Sequence, residues 1–276
     1  MLDYADSSEW GADAERPGLP EAPKSPAGSF LRELRERRRL TRAQAANLLH
    51  MQANSLGSLE NGNRPVRSEF VDQVAAAWHL SGDEERHLRH LAEAGGKGKA
   101  AANMPDYAFV ITEEMQVGLD GLLPHAAAWV DPYWRVLASN SAYRRAYPGL
   151  EEAGNVLTWF FRHPESKLTM LDWEGEAALT VAWFRALIGE HGCPSWANDL
   201  LRDLSDSDDF MRLWTSGSVT FNRRSPYMHL RNSRSGEPYT LLVQITRSPG
   251  NLPPMQHFLG VLMSYNGSDE LADRRG

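Results

Sequence analysis

The sequence has a single cysteine, Cys193, in 276 residues. An intramolecular disulfide is therefore impossible, and a reducing cytoplasm suits the chain. No apolar run approaches the ~18 residues of a membrane span. The N-terminus is acidic and lacks the apolar core of a signal peptide. There is no Gly-rich phosphate loop, no Gly-x-Ser-x-Gly turn and no internal repeat. His87 and His90 stand one helical turn apart without a third ligand pattern, so they read as a surface pair rather than a metal site. His191 and Cys193 are close in sequence but have no third partner and no oxyanion site beside them. These absences argue against a secreted protein, a membrane span and an enzyme, and they imply no cofactor.

What is present suits two folded units. Apolar residues make up 42% of the chain, enough for real cores, and the formal net charge is −7. That charge is uneven. Residues 1–28 hold two basic side chains against six acidic ones, whereas residues 31–42 hold six arginines and two glutamates. A local basic patch matters more for phosphate contact than the sum. The first 28 residues, rich in Asp, Glu, Gly, Pro, Ala and Ser, read as a disordered acidic arm.

Thr41 to Gly62 reads as two short helices joined by a tight turn. Thr41 and Gln44 have the spacing of a reciprocal capping box. Ala45, Leu48 and Leu49 then fall on one face, His50-Met51-Gln52 makes the turn, and Leu56 and Leu59 point inward from the second helix. Glu60-Asn61-Gly62 ends it. Ala53, Asn54, Gly57 and Ser58 are left on the outer face. Ahead of this pair, Ser29 to Arg39 reads as a helix with Phe30 and Leu34 inward and arginines outward. Behind it, Ser68 to Leu80 and Ser81 to Ala94 complete a five-helix bundle over 29–94. Gly95-Gly96-Lys97-Gly98-Lys99 begins a flexible linker, 95–103.

Residues 104–265 have a different texture and hold most of the tryptophans. Ala127 to Val130 and Arg135 to Ala138 read as strands around the turn Asp131-Pro132-Tyr133. Helices follow, Glu174 to His191 being the longest. Strands return at Val219 to Phe221, Tyr227 to Leu230, Tyr239 to Thr246 and His257 to Met263. Residues 266–276 form a tail. The fold class is multidomain: an all-α helix-turn-helix bundle, then an α+β PAS-like domain with an antiparallel sheet.

Leu48-Leu49, Met51 and Leu59-Glu60-Asn61-Gly62 resemble the helix-turn-helix of the XRE (phage repressor/Cro-like) family. Downstream, Trp134 to Asn140, Asn155 ahead of Phe160-Phe161-Arg162, Asp172-Trp173, Val181 to Arg185 and Asp209 to Trp214 resemble, in that order, the MmyB-like ligand-binding domain. That PAS-like module is fused to XRE domains in actinobacterial transcription factors. The resemblance implies a cytoplasmic, nucleoid-associated, dimeric regulator that binds a double-stranded operator and holds a fatty acid or similar apolar ligand in its sensor pocket.

On that reading, Gln52, Ala53, Asn54 and Ser58 reach base edges, since Asn pairs bidentately with adenine and an Ala methyl meets thymine. For Gln52 a pure helix cap is the other reading. Gly57 either permits close approach to DNA or is simply tolerated. Arg42, Asn61 and Arg64 stand where phosphate contacts would lie. In the sensor, Trp129, Asn140, Trp159, Phe160, Trp173, Trp183, Arg185 and Trp214 are the candidate ligand residues. A guanidinium on an apolar helix needs an anionic partner. For Arg185 that is Asp172 or a ligand carboxylate. A protein-interaction or anti-repressor module that has lost DNA binding is the alternative function.

Overall fold

The computed structural model describes residues 25–96, 110–191, 195–248 and 255–269. Most of the acidic arm, most of the linker, Cys193 and most of the C-terminal tail lie outside these residues.

The N-terminal bundle consists of α1 (Pro26–Arg37), α2 (Arg42–Leu48), α3 (Ala53–Glu60), α4 (Ser68–Trp78) and α5 (Gly82–Gly96). Helix α1 begins earlier than the apolar pattern predicts. Ser25 caps it by accepting a hydrogen bond from Gly28 N, and Pro26 supplies a first residue whose missing N–H costs nothing there. The Thr41–Gln44 capping box is present at the start of α2. Phe30, Leu34, Ala45, Leu49, Leu56 and Trp78 share one core. Two inner-face expectations change. Leu48 is 47% exposed and Ala46 takes its place inside. Arg35, expected outward, is buried because it forms a bidentate ion pair with Glu60.

The second unit begins with α6 (Glu113–Asp120) and the hairpin β1 (Ala126–Val130) and β2 (Val136–Ser139). Asp131 fixes the hairpin turn: one carboxylate oxygen accepts from Tyr133 N and Arg135 N, the other from Arg135 Nε. Four short helices follow: α7 (Ser141–Ala146), α8 (Leu150–Ala153), α9 (Val156–Arg162) and α10 (Glu165–Thr169). The long α11 (Trp173–His191), then α12 (Ser195–Leu204) and α13 (Asp208–Thr215), precede β3 (Tyr227–Arg231), β4 (Pro238–Arg247) and β5 (Gln256–Ser264). The five strands form one antiparallel sheet in the order β2-β1-β5-β4-β3. Alternate residues face the helices, so Ala126, Ala128 and Val130 share a core with Leu241, Val243, Met228 and Leu230. Val219 to Phe221, expected as a strand, joins no sheet. Thr220 N donates instead to Ala182 O of α11, and the segment runs across to the helical bundle.

Candidate functional site

The outer surface of α3 presents Asn54, Ser58 and Asn61 at i, i+4 and i+7, a single stripe of the helix. Gln52, Asn54 and Asn61 are exposed, and Ala53 and Ser58 are half-buried. Gln52 caps α3 with its backbone only and makes no side-chain capping bond, so its amide is not spent on the helix. The Ser58 hydroxyl donates to Asn54 O, while Asn61 Oδ1 accepts from Arg32. Arg64 is exposed at the loop after α3.

Under this stripe lies a charge cluster whose members are far apart in sequence. Glu60 is only 2% exposed, and its carboxylate gathers Arg35 from α1 and Arg42 from α2. The Arg42 side chain crosses α3 above Gly57. A Cβ there would sit 3.4 Å from Arg42 Cδ and Nε, at ordinary contact distance, so Gly57 lies buried beneath the arginine and does not belong to the outer stripe. Much of the arginine-rich stretch is likewise spent internally, since Arg37 and Arg38 both pair with Glu84 of α5.

The second site is an apolar cavity of about 100 Å³ between the sheet and the helices. Trp159, Phe160 and Trp183 stand on its wall with Trp134, Tyr143, Tyr147 and Phe258. Trp134 and Trp183 meet edge to face at 5.6 Å. Trp134 is held at φ 68°, a conformation bulky residues rarely adopt, and its indole N–H has no partner among the described residues. Two charged members were missed by the sequence reading. Glu176 of α11 and Arg223 line the cavity and bind each other bidentately at 2.7 and 2.8 Å. Burial pushes the phenol of Tyr147 well above its usual range, so it stays neutral, and it donates to the weak acceptor Met228 Sδ.

The other sensor candidates lie off this wall. Trp129 packs on His257 at 4.8 Å, on the sheet face opposite Ala128 and Val130. Trp173 packs against Phe160 and Phe161 and donates its N–H to Ser166 Oγ. Asn140 is fully buried and ties α7 to β1. Trp214 stacks on Phe210, and the Arg185 guanidinium carbon lies over the Trp214 ring at 5.2 Å from its centroid.

A model of the MmyB-like transcription regulator ligand binding domain matches residues 111–251, and a helix-turn-helix domain model matches residues 27–88. The chain belongs to the MmyB-like transcription regulators. No curated protein matches it. Being of this family, it is a DNA-binding transcriptional regulator with a ligand-binding domain. No helix among the described residues is long and apolar enough to cross a membrane.

The DNA-binding and MmyB-like domains dock through α5 and α11. Arg185, for which Asp172 or a ligand carboxylate was expected as partner, pairs instead with Glu33 of α1 and donates to Trp214 O at 2.9 Å. Such a part-exposed ion pair contributes no more than about 1 kcal/mol, so packing has to do most of the holding. His87, expected on the surface, is 3% exposed and fits against α11 at Gly189. The segment 217–221 completes the dock. Gly217 O accepts from Arg37, Val219 joins the core of the helical bundle, and Thr220 Oγ1 donates to Asp83 at 3.0 Å. Phe221 lies under Arg86, 4.1 Å from its guanidinium carbon, and edge-on to His90. All these contacts come from α1 and α5, which leaves the α3 stripe open.

Proposed function

We propose that this regulator acts in the cytoplasm, on the nucleoid, as a homodimer on a two-fold symmetric operator, and that a small apolar ligand of fatty-acid type in the cavity sets its affinity. One observation carries this reading. Helix α11 lines the cavity with Glu176, Thr180 and Trp183, and docks on the DNA-binding domain through Arg185 and Gly189. A ligand that moves one face of this helix must move the other.

The size of the cavity supports a switch. At about 100 Å³ it is smaller than the ~150 Å³ cavity that admits benzene. An acid with a longer tail buries more of it as the walls separate, gaining ~0.8 kcal/mol for each methylene it buries. It then favours the open-walled state over the closed one, which is the condition for a ligand to shift an equilibrium. In this reading Trp159, Phe160 and Trp183 touch the ligand. Trp129, Asn140, Trp173, Arg185 and Trp214 hold the frame and the dock. Because the α3 stripe is open, regulation works through the mutual placement of two DNA-binding domains rather than by covering α3.

On the DNA, Gln52, Ala53, Asn54 and Ser58 read bases, while Arg42, Asn61 and Arg64 meet phosphates. A recognition helix of eight residues reads few bases, so two copies about 34 Å apart supply the specificity. Selection of genomic fragments by the full chain, followed by footprinting, tests this part, and a single unrepeated half-site protected by a monomer would defeat it. Titrating acids of six to eighteen carbons against tryptophan fluorescence and operator binding tests the rest. Binding without a change in operator affinity would keep the pocket and reject the switch.

A further inference from the structure

Among the residues lining the cavity, only Glu176 and Arg223 carry full charges, and they face each other. The two are not held alike. Arg223 donates from Nε to Ser225 O at 3.2 Å and from Nη2 to Tyr227 O at 3.3 Å, so backbone carbonyls keep the guanidinium in place without Glu176. The Glu176 carboxylate accepts from Arg223 and from no other donor among the described residues. It stands in the first turn of α11. The guanidinium thus has partners besides the carboxylate, whereas the carboxylate has none besides the guanidinium among the described residues.

We propose that Arg223 is the anchor for an anionic head group on the ligand, and that the entering anion replaces the Glu176 carboxylate on it. This rests on the cavity being the ligand site. The exchange keeps a bidentate guanidinium–anion pair intact, the strong form of such a contact. A cationic ligand on Glu176 would instead leave the guanidinium without an anion in an apolar wall. The Trp134 indole N–H on the same wall, without a partner among the described residues, favours a ligand that brings an acceptor. Arg223 also follows the docking segment closely: it lies two residues beyond Phe221, which packs against Arg86 and His90 of the DNA-binding domain. Exchange at Arg223 thus acts at once on the first turn of α11 and on the end of that segment.

The test uses the full chain and three probes of equal tail length, octanoic acid, octanol and octyltrimethylammonium, read by the fluorescence of Trp134, Trp159 and Trp183 on the wall. The acid is expected to bind about tenfold more tightly than the alcohol, the scale of a charge-assisted hydrogen bond. Glu176→Gln removes the internal competitor and should tighten the acid further. Arg223→Gln should erase the preference for acid, and Arg223→Lys should restore part of it. The double variant Glu176→Gln/Arg223→Gln carries no stranded charge and serves where the single change unfolds the protein. Equal binding of acid and alcohol, preference for the ammonium, or a preference for acid that survives in the double variant would each overturn the anchor while leaving the cavity reading standing. Failure of all three probes to bind would overturn both.

Discussion

His87 of α5 occupies the space that a side chain at position 189 of α11 would need. A Cβ on Gly189 would lie 2.2 Å from His87 Cε1 and 2.5 Å from Nδ1. Phe30 stands edge-on behind the ring at 4.6 Å, so the imidazole cannot retreat without disturbing the helical bundle. Gly189→Ala is therefore expected to cost about 1–3 kcal/mol, the usual penalty for overpacking. Adding His87→Ala should return much of that loss. Urea titration of the two single variants and the double variant measures the coupling. A coupling near zero would mean that α5 and α11 do not dock through this pair.

The same histidine makes the dock sensitive to acid. Burial, and after it the positive charges of Arg185, His90 and Arg37, lower His87 to about 3. In the unfolded chain it titrates near 6.5. Below that value the unfolded state binds a proton that the folded state refuses, so stability falls with pH from about 6.5 until the folded value is reached. The deficit at pH 5 is on the order of 2 kcal/mol. Burial lowers His257 too, which adds to the loss in the same direction. Denaturant titrations between pH 7 and pH 4 should show the slope, and His87→Gln should flatten most of it. An unchanged slope in that variant would place the sensitivity elsewhere.

How much of this was readable in advance depended on distance along the chain. The helix-turn-helix announces itself within twenty-two residues, because capping, apolar spacing and the turn are all local, and Thr41–Gln44 folds as its spacing implies. The order of strands in the sensor was also largely visible, since alternation and turn residues are local too. The errors arise where a long-range partner decides. Arg35 looked like one more outward arginine until Glu60, 25 positions away, drew it inside. Arg185 demanded an anion, but nothing nearby could reveal that Glu33, 152 positions upstream and in another domain, supplies it. Arg223 and Glu176 were passed over for the same reason: a charge on the wall of a cavity is recognised only once the wall exists.

Asn140 shows how a candidate ligand residue can be consumed by the fold. Its Oδ1 accepts from Ala127 N and Tyr143 N at 3.1 and 2.9 Å, and its Nδ2 donates to Leu119 O and His125 O at 2.9 Å each. That uses the amide's donors and acceptor in full. Asn140→Asp would set a carboxylate oxygen against two carbonyls, and Asn140→Ala would leave four buried backbone groups short of a partner. Each should cost on the order of 3 kcal/mol in thermal or urea unfolding. The fraction that remains folded should still take a cavity ligand with unchanged affinity. Loss of binding with no loss of stability would reverse the assignment.

On the DNA side the geometry separates reading from positioning. Asn54 is exposed on the α3 stripe, and Arg64 is exposed on the loop beyond it. Asn54→Ala should cost about 1–3 kcal/mol on the selected operator, little on random DNA, and relax preference at one base pair. Arg64→Ala should weaken both kinds of DNA alike and reduce the salt slope by about 1. Arg42 is a mixed case, because its Nε is already committed to Glu60 at 3.1 Å and its side chain covers Gly57. Arg42→Ala should therefore lower the salt slope and also destabilise the bundle, by leaving part of the buried Glu60 carboxylate unmatched. Binding measured from 50 to 200 mM salt, beside unfolding of the same variants, distinguishes the three. If Arg42→Ala lowered the slope with no loss of stability, the guanidinium would be serving phosphate alone, and the Glu60 cluster would owe its cohesion to Arg35.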